Sequence, residues 1–187
     1  MYPFTITKAT ETDIESYQYV AQQSFIDAFE EKSNPENFKK YISTAFTIEE
    51  LMPDLQNNEH AAVFFIHSEN TTIGYVKLRW DRSEEYFGTT KALELQRIYL
   101  LKEYWNKGYG RHLLDFSEKI GLEQGFEWIW LCVWCENHGA IRFYEREGWE
   151  KFAYKNFQFG DEIHVDPVLK KQLFIHPSQH QFVLQTK

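Results

Sequence analysis

Apolar residues recur along this chain in two rhythms, and the switches between them mark out the elements. Ile14, Tyr17, Ala21, Phe25 and Ala28 stand three or four apart, the period of one helix face. Thr10 and Asp13, at capping-box spacing, mark where that helix begins. A second helix starts at Asn34-Pro35, with Asn as cap and Pro at the first helical position, and carries Phe38, Tyr41, Ile42 and Ala45 on its apolar face. Thr47 and Glu50 announce a third, shorter helix, with Pro53 as a point of interruption.

Strand patterns surround and follow these helices. Residues 4–8 form a short first strand, and 61–67 and 72–80 flank a turn at Glu69-Asn70. Residues 82–91 are polar and predict a loop. A strand at 93–101 leads to a helix at 108–124, with Leu113, Leu114 and Ile120 facing inward and Gly125 as its stop. A strand at 128–134, a helix at 138–147 ending on Gly148, and strands at 149–159 and 163–174 about a Gly160-Asp161 turn complete the order. Pro167 places a bulge or an edge in the last strand. The strand–helix–strand unit at 93–134 requires a crossover and a parallel pair, so the fold is α/β with a mixed sheet. No repeat or linker breaks the chain, which predicts one domain over 1–175 and a loosely held tail over 176–187.

Composition narrows the function classes. The 187 residues are 43% hydrophobic and 26% charged, enough to bury a core. Aromatics reach 18%, more than a core of this size needs, and can line a small-molecule pocket. The net charge of −8 and the lack of a Lys/Arg run speak against nucleic-acid binding and favour cationic partners. No apolar run is long enough for a bilayer and no signal-peptide pattern opens the chain, so a cytoplasmic protein with reduced thiols is expected. Cys132 and Cys135 spell Cys-x-x-Cys, but residues three apart in a strand point to opposite faces, which disfavours a redox pair. The histidines make no metal spacing, and no metal is expected.

The segment with chemistry runs from Leu95 to Arg111, where a strand enters a glycine-containing turn that opens a helix. Gly108 and Gly110 allow close backbone approach. The first helical N–H groups lack internal partners and sit at the positive end of the helix dipole, which suits a phosphate or pyrophosphate. Lys107 and Arg111 add charge. The segment lacks the lysine and hydroxyl of a Walker loop, and Leu113 stands where a dinucleotide fingerprint needs glycine.

Downstream, Asn137-His138-Gly139-Ala140-Ile141-Arg142-Phe143-Tyr144-Glu145-Arg146-Glu147-Gly148-Trp149 follows the next strand. Together the two segments resemble the GCN5-related N-acetyltransferases (GNAT), whose patterns are Gln/Arg-x-x-Gly-x-Gly/Ala and Asn-x-x-Ala-x-x-Phe-Tyr-x-x-x-Gly-Phe. Phe25-Ile26-Asp27-Ala28-Phe29, Asn34-Pro35-Glu36-Asn37, Leu95-Gln96-Arg97-Ile98-Tyr99 and Phe159-Gly160-Asp161 are similar to the PaiA-type spermine/spermidine N-acetyltransferases within it. Trp105 departs from the pattern, standing at the usual Gln/Arg position.

The resemblance implies a central sheet of about seven strands with helices on both faces, and acetyl-CoA as co-substrate. The strands at 93–101 and 128–134 splay, and the pantetheine arm pairs with the backbone about Ile98, Tyr99 and Leu100. The pyrophosphate rests on Trp105, Asn106, Lys107, Gly108, Tyr109, Gly110 and Arg111; Asn137 positions the arm and Tyr144 lies beside the sulfur. Asn137 and Tyr144, nearly two turns apart, share a helix face.

Tyr144 is then the candidate acid for the departing thiolate, and a backbone N–H at Ile98 the oxyanion donor. Glu94 stands at the spacing of the catalytic glutamate of histone-type members; catalytic base and simple binder of the substrate cation are both open for it. Gln96, expected on the same strand face, orders a water. The acceptor expected is a primary amine, a polyamine such as spermidine, held by Asp27, Glu30, Glu31 and Glu36. A protein or peptide acetyltransferase and a non-catalytic acetyl-CoA-binding module are the alternatives. Monomer and homodimer are both open.

Overall fold

The computed structural model describes residues 3–56, 59–88 and 90–174. Residues 176–187, expected as a tail, lie outside them. The order is β1 (Phe4–Lys8), α1 (Ile14–Phe29), α2 (Pro35–Ala45), α3 (Ile48–Leu55), β2 (Ala61–Ser68), β3 (Thr71–Arg79), α4 (Glu84–Phe87), β4 (Ala92–Leu100), α5 (Tyr109–Glu123), β5 (Trp128–Cys132), α6 (His138–Arg146), β6 (Glu150–Phe159) and β7 (Glu162–Gln172). The strands form one seven-stranded sheet in the order β1-β2-β3-β4-β5-β7-β6. Only β4 and β5 pair in parallel, and α5 makes the crossover between them.

The helix starts follow their caps. The Thr10 N–H donates to Asp13 Oδ2 at 2.8 Å, closing a single 3-10 turn that leads into α1. Asn34 Oδ1 accepts from the N–H groups of Glu36 and Asn37, and Thr47 Oγ1 from Glu50. Pro53 does not interrupt α3; it lies within the helix, which forgoes one backbone bond and continues to Leu55.

Two cores cover the two faces of the sheet. Leu113, Leu114, Ile141 and Tyr144 from α5 and α6 pack on Ile66, Val76, Leu78, Leu93 and Leu95. Tyr17, Val20, Ala21, Leu51 and Leu55 from α1 and α3 pack on Val63, Phe65 and Tyr75 opposite. Each fully buried leucine is worth about 1.5–3 kcal/mol in transfer alone, so α5 is held firmly where it enters the sheet.

Three details depart from the pattern reading. Residues 82–91 are not all loop: α4 presses Tyr86 and Phe87 onto Trp128, Trp130 and Phe152, a patch of aromatic contact that the surrounding charges obscure. In β4, Lys77 faces Arg97 and Leu78 faces Leu95, so Gln96 is an extra, bulged residue. Alternation therefore skips: Leu93 and Leu95 lie on the α5 face, and so do Ile98 and Leu100, three residues on rather than two. The face that holds Glu94 is continued by Arg97 and Tyr99, and the expected simple alternation from Glu94 to Gln96 stops at the bulge.

Pro167 sits where pairing with β5 ends, Cys132–Val168 being the last pair. Its carbonyl accepts from the Val133 N–H, so the edge that its missing N–H would serve is the one β5 leaves. The β6–β7 turn has Gly160 at φ +64°, and Asn37 Nδ2 donates to Asp161 Oδ1 at 2.7 Å, tying α2 to the hairpin.

Candidate active site

The site is built where β4 and β5 part. Their pairing covers only Ala92–Trp128, Leu93–Ile129 and Glu94–Trp130, although β4 continues to Leu100. Leu101 gives its N–H to Ile73 in β3. By strand alternation Leu100 and Ile98 turn their backbone groups the other way, into the gap.

A cavity of about 680 Å³ occupies that gap, within the range of small-molecule sites. One wall comes from the α5–α6 side: Ile98, Leu100, Gly108, Gly110, Asn137, Ala140, Phe143 and Tyr144. The other comes from the α1 side: Ser24, Ala28, Phe29, Arg97, Tyr99 and Trp134. The cavity is thus lined from both faces of the sheet.

On the α5 side, main chain dominates. Gly108 caps α5 at φ +88°, and a Cβ there would project into open space. Asn106 also adopts positive φ, at 59°. Arg111 and His112 donate to the Gly108 carbonyl, so the N–H groups ahead of them remain for a ligand. This loop, with a glycine where a side chain would fill the cradle, fits a pyrophosphate. Arg111 is braced by Asp115 at 2.9 Å and by Glu147, which fixes its guanidinium at the mouth.

Of the residues assigned to acetyl-CoA, all but two line the cavity. Tyr109 is buried in the core with its hydroxyl 3.2 Å from Ser68 Oγ, and Lys107 rests over the Tyr104 ring. Trp105, at the departed position, donates its indole N–H to the Leu100 carbonyl at 2.8 Å. That carbonyl is therefore already used within the chain. The Leu100 N–H and the Ile98 carbonyl remain for the pantetheine arm, and the Ile98 N–H also faces the gap.

Asn137 and Tyr144 both line the wall, one at each end of α6. Asn137 is the cap of α6, its Oδ1 accepting from the Ala140 N–H at 3.2 Å. Tyr144 packs against Phe143 and Trp149, and burial alone raises its phenol well above the ordinary value. It carries its proton across the working pH range.

Glu94 does not line the cavity. It is 6% exposed, behind Leu95 and Gln96. Burial raises its carboxyl above the usual range, against the pull of Arg82, Arg79 and Lys155. Gln96 does reach the wall, and its Oε1 is buried without a partner among the described residues. Asp27, assigned to the acceptor, is otherwise engaged: its oxygens accept from the Lys102 N–H and from Gln23 Nε2. Glu30, Glu31 and Glu36 are exposed and off the wall. Among the described residues, no group of His, Cys, Asp and Glu side chains is placed to hold a metal ion, and no helix is long and apolar enough to cross a membrane. Cys132 and Cys135 are free thiols, and Cys132 faces the cavity.

The sequence reading missed most of the α1-side wall. Tyr99 is among the expected site residues; the Phe29 ring meets it at 6.0 Å between centroids and meets Trp134 at 5.6 Å. The aromatic surplus was the available signal; which aromatics meet depends on the bulge.

Comparison with known proteins identifies the family. The sequence profile of the acetyltransferase (GNAT) family matches residues 19–149. An uncharacterized N-acetyltransferase of Lactobacillus delbrueckii subsp. lactis is 29% identical over 168 residues, 90% of this chain and 96% of that one. A spermidine N(1)-acetyltransferase of Thermoplasma acidophilum is 27% identical over 148 residues, 78% of this chain and 87% of that one. The crystal structure of the PaiA N-acetyltransferase from Thermoplasma acidophilum in complex with coenzyme A superposes with a TM-score of 0.71 at 23% identity, over 91% of this chain and 99% of that one. With the profile spanning the cavity-forming elements from α1 to α6, the chain belongs to the acetyltransferase (GNAT) family, the acetyl-CoA-dependent acyltransferases.

Proposed function

We propose that the protein moves the acetyl group of acetyl-CoA directly to a small primary amine, with Tyr144 as acid and Glu94 as base through water. The observation that carries this reading is a buried, proton-bearing phenol on the wall of a cavity that Asn137 also lines and to which both faces of the sheet contribute.

An alkylammonium has a pKa near ~10.4 and must lose a proton before it attacks. The raised carboxyl of Glu94 is a suitable base in kind, and its place behind the wall requires a water between it and the amine. Gln96, with its unpartnered Oε1, is positioned to hold that water. The attack places charge on the carbonyl oxygen, and the Ile98 N–H in the gap stabilises it. When the carbon–sulfur bond breaks, Tyr144 gives its proton to the thiolate. Burial pushes the Cys132 thiol up to about 12, which keeps it from acting as a thiolate nucleophile and favours direct transfer over an acyl-cysteine there.

Polyamines enter as one acceptor class through the spermidine acetyltransferase relative and the net charge of −8. The test is thiol release from acetyl-CoA across a panel of polyamines, amino acids, aminoglycosides and peptide N-termini. Release with a small amine supports the reading. Binding of acetyl-CoA without release from any amine would favour a regulatory module, and release with peptides alone a protein-modifying enzyme.

A further inference from the structure

We propose that Arg97 is the anchor for a carboxylate carried by the acceptor, so that the acceptor is a small amine bearing an anionic group rather than a pure polycation. The inference rests on the acetyltransfer reading above and specifies its substrate.

Arg97 extends from β4 just past the bulge, on the acceptor side of the sheet, and lines the cavity. It forms no ion pair with any described carboxylate. Its Nη1 is occluded from solvent, and the polar group beside the guanidinium is the neutral Tyr75 hydroxyl, which balances none of its charge. Its surroundings are aromatic: Tyr17, Tyr75, Tyr41 and Tyr99 stand around it, and the Phe46 ring lies 5.7 Å from its guanidinium carbon. A ring face offsets only part of the cost of removing a guanidinium from water. Asp54, nearby through Tyr17, is committed to Lys77 Nζ at 2.5 Å and to the Tyr17 hydroxyl at 3.0 Å.

The rest of the wall carries the same sign. Lys32, Arg111 and Arg146 join Arg97 around the cavity, and no described Asp or Glu lines it. Arg111 and Arg146 lie toward the pyrophosphate loop, which accounts for their charge. Arg97 lies on the other face and is left without such an account. Buried charges are normally paired. The guanidinium fork matches a carboxylate in two parallel hydrogen bonds. A carboxylate held there leaves an amine of the same molecule next to Ile98, where the transfer takes place.

The experiment uses the full chain, acetyl-CoA and a thiol readout, with amines in matched pairs that differ only in the carboxylate: lysine with cadaverine, ornithine with putrescine, and β-alanine with ethylamine, plus spermidine. The wild type should give the higher kcat/KM with a carboxylate-bearing member. Arg97→Gln should cut that value about 10–100-fold, through KM, while leaving acetyl-CoA affinity unchanged. Arg97→Lys, which keeps the charge but not the fork, should recover only part. The wild-type pairs decide the matter even if a variant fails to fold. Preference for the carboxylate-free partners or for spermidine would overturn the proposal while leaving acetyl transfer intact. Silence with every amine would overturn both.

Discussion

Replacing Tyr144 with phenylalanine removes one oxygen and keeps the ring contacts with Phe143 and Trp149, at 5.4 and 5.7 Å. The fold and the acetyl-CoA affinity should therefore survive, and the loss should appear in turnover. In water a phenol at about 10 giving its proton to a thiolate at about 8.5 runs uphill by roughly 2 kcal/mol. In this cavity burial raises the donor and the acceptor together. The thiol of Cys132, on the same wall, is pushed up to about 12 by burial, with Asp166 adding to it. A CoA thiolate released into the same buried space is raised in the same direction as the phenol, which offsets part of the rise in Tyr144. A positioned acid is typically worth about 10²–10⁴-fold, or about 2.7–5.4 kcal/mol in the barrier. Steady-state thiol release should then show kcat lowered by that factor, and calorimetry an acetyl-CoA Kd within about twofold of wild type. An unchanged kcat would mean that water or another group protonates the thiolate. A Kd that rises in step with the fall in kcat would reduce Tyr144 to a packing residue.

Gly108→Val should abolish measurable acetyl-CoA binding by calorimetry, because the side chain strains a backbone at φ +88° and projects into the pyrophosphate cradle; binding that survives would move the phosphates elsewhere. Acetyl-CoA binding should be the same with and without chelator, since the cradle is made of N–H groups; affinity that appears only on adding Mg²⁺ would argue for a nucleotide site. Glu94→Gln should raise Tm at neutral pH while slowing turnover. The raised folded-state pKa means that Glu94 favours folding most below the ordinary carboxylate value and loses that contribution as pH rises through its folded-state value. The stability gap between variant and wild type should widen across that window and then level off. A gap that shrinks with rising pH would show Glu94 to be held as an ion pair by Arg79, Arg82 or Lys155.

What could be read from the sequence is what the backbone itself dictates. Gly108 and Gly110 announce a loop that lies close to a ligand, Asn34-Pro35 a capped helix start, and Gly160-Asp161 a hairpin. Each depends on a local conformational rule: Gly108 is the left-handed cap of α5, Asn34-Pro35 opens α2 and Gly160 turns the hairpin, while Gly110 falls within the first turn of α5. The acceptor half depends on register. The extra residue Gln96 in Leu95-Gln96-Arg97 has no glycine or proline to announce it, yet it brings Arg97 and Tyr99 onto the face of Glu94. Asp27 is a related case: an acidic residue on a helix reads as a binding group, but Gln23, one helical turn back, and the distant Lys102 N–H occupy both its oxygens. Tyr86 and Phe87, set among charges, read as loop because the aromatic floor they complete comes from β5 and β6.

The cavity also divides the chain's capacity for change. On the acetyl-transfer reading proposed above, the donor end is held by main-chain groups around Gly108, which most substitutions elsewhere leave intact. The acceptor end is made of side chains on α1 and β4 and in the turn after β5, among them Ser24, Ala28, Phe29 and Trp134. A lineage with this architecture can vary those positions one at a time and change which molecule is modified, while the transfer itself is inherited unaltered. A library meant to redirect the enzyme therefore belongs on the α1 side, and randomising residues 106–111 would mostly yield inactive proteins.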